Sequence, residues 1–375
     1  MNMRLIILVV PLALLASRLN AASPREVAEW VRTIQAVQSE GRGNVEAGRA
    51  WQQISALDAK RLLDVLAAMD GANNYAVNWL RAAVDTIVDR AERTKQSLPL
   101  AALKRFLDDT KHHPRARRLA YELIIRADPD AAKKLLSSFL NDPSNELRRD
   151  AIEQLVGQAD ESSKSGQTNN AMAIYQKALT HARDVDQVDD LAKKLRSLGR
   201  TVDLQSTFGW LTKWKMIGPF DNKGGIGFDK VYPPEHGVDL TAELDAMTGK
   251  ARWRDYSTTN EYGLVDFNQP YTRLKGVAAY AYTEFQSDSA RPVELRLGCK
   301  IGWKIWLNDK FLFGRDEYHR GAEIDQYRLH AELKPGKNTL LVKCCQNEQQ
   351  EDWTVEWEFQ LRITDAQGTP IASAK

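Results

Sequence analysis

The sequence predicts a multidomain chain in which α precedes β: an N-terminal α-helical repeat solenoid followed by an antiparallel β-sandwich. Three observations carry this. Apolar residues recur at helical spacing in short segments opened by proline or serine as far as about Leu198. Related segments return at intervals of about 30 to 40 residues, the length of a two-helix unit. After Leu204 glycine and aromatic residues increase, and strict alternation replaces the helical period. With 375 residues, 43% hydrophobic and 27% charged, the composition excludes a disordered or fibrous chain.

Residues 1–22 read as a signal peptide, because Arg4 precedes an apolar run from Leu5 to Ala16 and small residues follow at Ala21, Ala22 and Ser23. The run is too short to span a bilayer, which needs roughly 20 apolar residues. Export to the periplasm or the extracellular space is therefore expected. The chain has 52 basic and 50 acidic residues, and removing Arg4 and Arg18 leaves 50 of each. A neutral protein offers no overall field for nucleic acid or an anionic membrane, and neither is expected as a partner.

The helical region is expected over residues 23–200. Ser23 is a candidate N-cap with Pro24 in the first turn, and Val27, Trp30, Val31, Ile34 and Val37 form one stripe. Leu62, Val65, Leu66 and Met69 form the next. Pro99, Pro114, Pro129 and Pro143 with Ser144 then open four further helices, Asp160 to Asn170 reads as a polar loop, and a last helix runs from Val188 to Leu198. The segments His113 to Arg118 and Asp142 to Ala151 resemble HEAT-type helical repeats, and Ala171 to Ala182 resembles the second helix of a tetratricopeptide unit. Such stacks present extended surfaces to other proteins, so this half is expected to dock a protein partner. The basic run Lys111 to Arg118 fits a solvated face or an arginine ladder, since arginines recur at one position of each repeat.

The sandwich is expected over residues 201–375. Its clearest strand runs from Trp353 to Ile363, with Trp353, Val355, Trp357, Phe359, Leu361 and Ile363 on the core face and Thr354, Glu356, Glu358, Gln360 and Arg362 facing water. Other strands cover 277–285, 293–299, 303–307 and 339–345, and Asn308-Asp309 forms a tight hairpin turn. The run Trp214 to Asn222, then Gly227-Phe228-Asp229 and Tyr232 to Glu235, is similar to the opening of galactose-binding-like sandwich modules of large exported bacterial proteins. Leu295 to Gly298, Trp303 to Asn308 and Leu333 to Asn338 look like the core hairpins of that module. The resemblance covers roughly Phe208 to Ile371 and implies a jelly-roll topology. Two departures stand out: Asp309 replaces a frequent glycine, and Cys299 to Gly302 replaces an acidic turn, which weakens any carry-over of a calcium or ligand loop.

Only Cys299, Cys344 and Cys345 are present, without metal or redox spacing. Either one disulfide joins Cys299 to a neighbour or all three are buried free thiols. The chain contains no nucleophile elbow, zinc-protease helix, P-loop or dinucleotide fingerprint, and no enzyme is expected.

Carbohydrate recognition needs aromatic faces beside convergent polar groups. Trp306, on the face opposite Trp303, and Trp353 supply candidate platforms; Tyr318, His319 and Arg320, with Asp325 beyond, supply aromatic and polar groups in one loop. These six are the candidate ligand-binding residues. Asp221, Asn222 and Asp229 are candidate oxygen ligands for calcium, although Asp-Asn beside glycine is also ordinary turn chemistry. The sequence thus predicts a non-catalytic exported binding protein with carbohydrate as its ligand class. A purely structural role in the cell envelope is the alternative, and a glycan hydrolase using Asp316 and Glu317 is the second.

Overall fold

The computed structural model describes residues 22–374; the segment 1–22, expected to be a signal peptide, lies almost wholly outside them. The chain forms two compact units, Met1–Gln158 and Ala159–Lys375. Among the described residues no helix is long and apolar enough to cross a membrane.

The first unit is helical throughout: α1 (Pro24–Gln35), α2 (Asn44–Ser55), α3 (Leu62–Ala67), α4 (Asn74–Arg93), α5 (Leu100–Asp108), α6 (Pro114–Ala127), α7 (Pro129–Leu136) and the start of α8 (Asn145–Lys164). Ser23 caps α1 in a reciprocal capping box with Glu26. The anticipated stripe is the buried face of α1, where Val27 and Ile34 join Ile54, Leu66, Leu80 and Ile87 in one continuous core. The recurring arginines form a ladder between helices. Arg81 donates to Glu122 at 2.8 Å, Arg118 bonds Glu122 and Asp150, and Arg126 reaches Glu92 and Asp89. Arg117 is buried and makes a bidentate bond to Asp142, with both contacts at 2.7 Å.

The second unit contains the rest of α8, then α9 (Thr168–His181), α10 (Val185–Ser197) and α11 (Leu204–Phe208). The polar stretch from Asp160 is not the expected loop. Helix α8 continues to Lys164 because Asp160 is held by Tyr175 and by Lys194 Nζ at 2.9 Å, and the break comes only at Gly166, with φ +73°.

Twelve strands follow: β1 (Lys213–Asp221), β2 (Glu243–Ala246), β3 (Gly249–Arg252), β4 (Arg254–Ser257), β5 (Val265–Asp266), β6 (Val277–Ser287), β7 (Arg291–Cys299), β8 (Gly302–Leu307), β9 (Lys310–Arg315), β10 (Tyr327–Leu333), β11 (Gly336–Gln346) and β12 (Glu358–Thr364). They form an antiparallel six-stranded sheet, β4-β1-β6-β11-β8-β9, an antiparallel four-stranded sheet, β10-β7-β12-β5, and a separate antiparallel pair, β2-β3. Alternate residues of both sheets meet in one core: Met216, Ala279, Trp303, Ile305, Val342 and Cys344 from the larger, and Leu295, Leu297, Phe359, Leu361 and Ile363 from the smaller. Asn308 and Asp309 both take positive φ, 52° and 63°, the mirror-image turn a two-residue hairpin requires.

Two expectations about faces need correction. Strand β12 starts at Glu358, not Trp353, because Asp352–Thr354 folds into a short 3₁₀ turn. Its second face does not meet water: Gln360, Arg362 and Thr364 are all buried. The segment Phe208 to Trp210 and the loop through Asp325 cover that face. Arg362 Nη1 donates to Phe208 O at 3.2 Å, its guanidinium lies 5.5 Å from the Trp210 ring centroid, and Asp325 accepts from Arg362.

The outer face of the six-stranded sheet is also covered. Ile217, Phe220, Tyr280, Tyr282, Trp306 and Leu341 pack beneath the β1–β4 connection, forming a second apolar layer with Tyr232, Ala251, Val238 and Trp253. Within it lies Lys343, fully buried, whose ammonium donates to Phe228 O at 3.1 Å, Lys230 O at 2.8 Å and Glu235 Oε1 at 2.8 Å. Three donors meet three acceptors. All three cysteines are free and buried, Cys344 towards Cys299 in the core and Cys345 on the opposite face.

Candidate ligand-binding site

Three connections meet at one edge of the sandwich: the loop after β9, the β11–β12 connection and the turn after β1. Tyr318, His319 and Trp353 come together there; Trp306 and Asp325 do not.

Tyr318 is half-buried over the start of β8. Gly302 allows this, since a Cβ there would lie 3.1 Å from the phenol oxygen. The phenol accepts from Asn222 Nδ2 at 3.3 Å, and burial pushes its pKa up. His319 takes a left-handed φ of 57°, fixed by its backbone N–H, which donates to Lys300 O at 2.6 Å. That backbone turn aims the imidazole at the next connection, where Nε2 donates to Asn347 Oδ1 at 3.0 Å. The same ring meets Trp353 edge-on, with centroids 5.4 Å apart and planes at 86°.

Trp353 is 60% exposed, an unusual exposure for an indole that neither sheet nor helix forces outward. Its turn is anchored by the next residue. Buried Thr354 shares its single hydroxyl proton between Gln349 O at 3.0 Å and Glu351 O at 2.7 Å, and its own carbonyl accepts from Lys275 Nζ at 2.8 Å and Gln346 Nε2 at 3.0 Å. The indole is thus held in place while its ring stays in water. Asn347, which accepts from His319, in turn donates from Nδ2 to Gln349 Oε1 at 2.8 Å, so a pair of side-chain amides adjoins the imidazole that meets the indole. Arg320 is exposed on the same loop.

The other candidates have different work. Trp306, expected nearer solvent, is only 6% exposed: the segment carrying Tyr232 and Val238 lies over it, and its ring packs against Phe311. Asp325 is a buried counter-ion whose side chain is 6% exposed. Burial works to raise its pKa, but hydrogen bonds and charge from Arg362, then Arg296, hold the carboxyl below the usual carboxylate range.

The proposed calcium ligands are not assembled. Asp221 Oδ1 accepts from the backbone N–H of Lys223 at 3.1 Å, the turn chemistry weighed as the alternative. Asn222 is fully buried and donates to Gln346 O at 3.0 Å, while Asp229 is 92% exposed and faces Lys304 at 3.4 Å. Among the described residues no cluster of three or more His, Cys, Asp or Glu side chains stands ready for a metal ion. Glu317, one of the carboxylates considered for glycan hydrolysis, pairs with Arg315 at 3.5 Å.

Sequence reasoning did not single out Asn347, which holds the His319 imidazole that meets the indole. A signal was present in the polar run Gln346 to Asp352 that follows a buried strand.

No family model matches the chain, and no curated protein matches it. Among solved structures, a GH31 alpha-xylosidase from Xanthomonas citri is 10% identical at a TM-score of 0.21 over 42% of this chain, which spans only 16% of the enzyme's length. An alkylpurine DNA glycosylase from Pseudomonas fluorescens, bound to DNA containing an abasic-site analogue, is 12% identical at a TM-score of 0.20, over 93% of this chain and 96% of its own. Similarity this remote decides neither the fold nor the function of the chain.

Proposed function

We propose that the protein is a non-catalytic, exported binding protein, in which the galactose-binding-like sandwich holds a carbohydrate and the HEAT-like helical unit docks a protein partner. The observation that carries the sugar reading is Trp353: an exposed indole, fixed by the buried Thr354, with His319 against its edge and the amides of Asn347 and Gln349 beyond that imidazole. Apolar C–H faces of a pyranose stack on such a ring, while imidazole and amides offer both donors and acceptors to its hydroxyls. Export rests on Arg4 and the apolar run that follows it.

A glycan-array screen of the full chain, with Trp353→Ala as control, tests the sugar reading. Binding that is lost in the variant while its thermal unfolding is unchanged is the expected result. Silence of the folded wild type across the array, or binding indifferent to Trp353, would leave the envelope-assembly role as the better reading. The docking reading is tested in cells by photo-crosslinking from a benzoylphenylalanine at Val45, which is 66% exposed.

A further inference from the structure

The helical unit carries a groove unlike the rest of its surface. It has a volume of about 420 Å³ and is lined by Gln38, Asn44, Tyr75, Asn78 and Trp79, with only glycine and alanine completing it. No lining residue is charged, in a unit whose exposed faces are otherwise rich in arginine, lysine and carboxylates. Its two aromatic rings belong to α4, where residues four apart share a face about 6 Å apart along the axis. Tyr75 is 50% exposed, and Trp79 lies across α2, where Gly48 leaves room for it: a Cβ there would lie 3.9 Å from the indole tip. Asn78 sits between the rings in sequence. Gln38 and Asn44 come from the connection between α1 and α2 and from the first turn of α2. Among the described residues these three amides have no hydrogen-bond partner within the protein.

We propose that this groove binds a neutral, proline-rich segment of a partner protein in the polyproline II conformation, which rests on the docking role assigned to the helical unit and gives it a place and a chemistry. Each feature of the lining selects that occupant. A charged peptide finds no countercharge there. An amphipathic helix satisfies its own backbone and would have no use for unpaired amides at the wall. A polyproline II chain leaves every carbonyl free, lacks N–H groups at proline, and rises about 3.1 Å per residue, so ring faces two residues apart match the spacing of Tyr75 and Trp79. The amide N–H groups of Asn78, Asn44 and Gln38 then donate to its carbonyls.

The test is isothermal titration calorimetry of the full chain with three probes: decaproline, a neutral Gly-Ser decapeptide and chitohexaose. Decaproline binding is expected, weakened about tenfold by Tyr75→Ala and several-fold by Asn78→Ala, whose side chains are exposed and leave the fold intact. Trp79→Ala is a third variant, read only if its melting temperature is unchanged. The Gly-Ser peptide should give no heat. Absence of decaproline binding, binding that survives Tyr75→Ala, or binding of chitohexaose in its place with the same variant dependence would each overturn the proposal. Crosslinking from Val45 that captures a protein while decaproline stays silent would refute this groove chemistry and leave docking intact; silence in both would refute both.

Discussion

Asp325→Asn isolates the ionic cluster on the outer face of the smaller sheet. Asp325 adopts a φ of 61°, a region asparagine tolerates well, so the substitution removes the charge with little backbone cost. It removes the shared partner of two buried guanidiniums: Arg296 donates to Asp325 Oδ2 at 2.8 Å and Arg362 Nε to Oδ1 at 2.8 Å, and these arginines are 5% and 1% exposed. Breaking a buried pair costs about 3–5 kcal/mol. The lower end applies, because Arg296 keeps Glu294 at 2.7 Å and Arg362 keeps Phe208 O and two aromatic faces. A loss of about 3 kcal/mol in a unit of this size lowers its melting temperature by about 6–12 °C. The pH dependence gives the sign. The folded pKa of Asp325 lies below that of an ordinary aspartate, about 4, so its stabilisation is complete above about pH 4 and disappears as pH falls through the folded value. Urea melts followed by circular dichroism at pH 7 and pH 3 should show a large difference between variant and wild type that narrows in acid. A difference under about 1 kcal/mol at pH 7, or one that grows in acid, would refute the counter-ion role. So would a variant that melts normally but loses glycan binding, which would return Asp325 to the ligand site.

Lys343 and Glu235 form a second buried pair, so Lys343→Ala alone should cost about 3 kcal/mol or more by leaving the carboxylate uncompensated. Lys343→Met combined with Glu235→Gln should lose clearly less than the sum of the two single variants; additivity within about 0.5 kcal/mol in a double-mutant cycle would show that the pair is not coupled. Burial raises both Cys344 and Cys345, the latter up to about 12, and Cys299 is shut away from solvent, so no thiol should react with Ellman's reagent at pH 8 in the native protein. All three should react in guanidinium without reductant, and fewer than three would reveal a disulfide.

Local pattern was enough for the succession of helices then strands, for the Ser23 cap of α1, for the left-handed Asn308-Asp309 turn and for the core face of β12. Each of these is set by residues within a turn or two of one another, through hydrogen bonds and alternation that a single segment carries with it. Alternation also assigned Gln360 and Arg362 to the face opposite the core, and there it went no further, because period says which side a residue takes and not what lies beyond. Arg362 is buried because Phe208, Trp210 and Asp325, remote in sequence, close over it. Trp306 shows the same limit: its face is correct, but the segment between β1 and β4 covers it. Trp353 continues the apolar alternation of β12 in sequence and yet stands in water, since the bonds of Thr354 to Gln349 and Glu351 and of its carbonyl to Lys275 and Gln346 pull that stretch out of the sheet. The sequence by itself determined the two architectures and the loop that carries Tyr318 and His319. Tertiary structure alone decided that Trp353 stands in water while Trp306 does not, because exposure depends on long-range cover that no local period encodes.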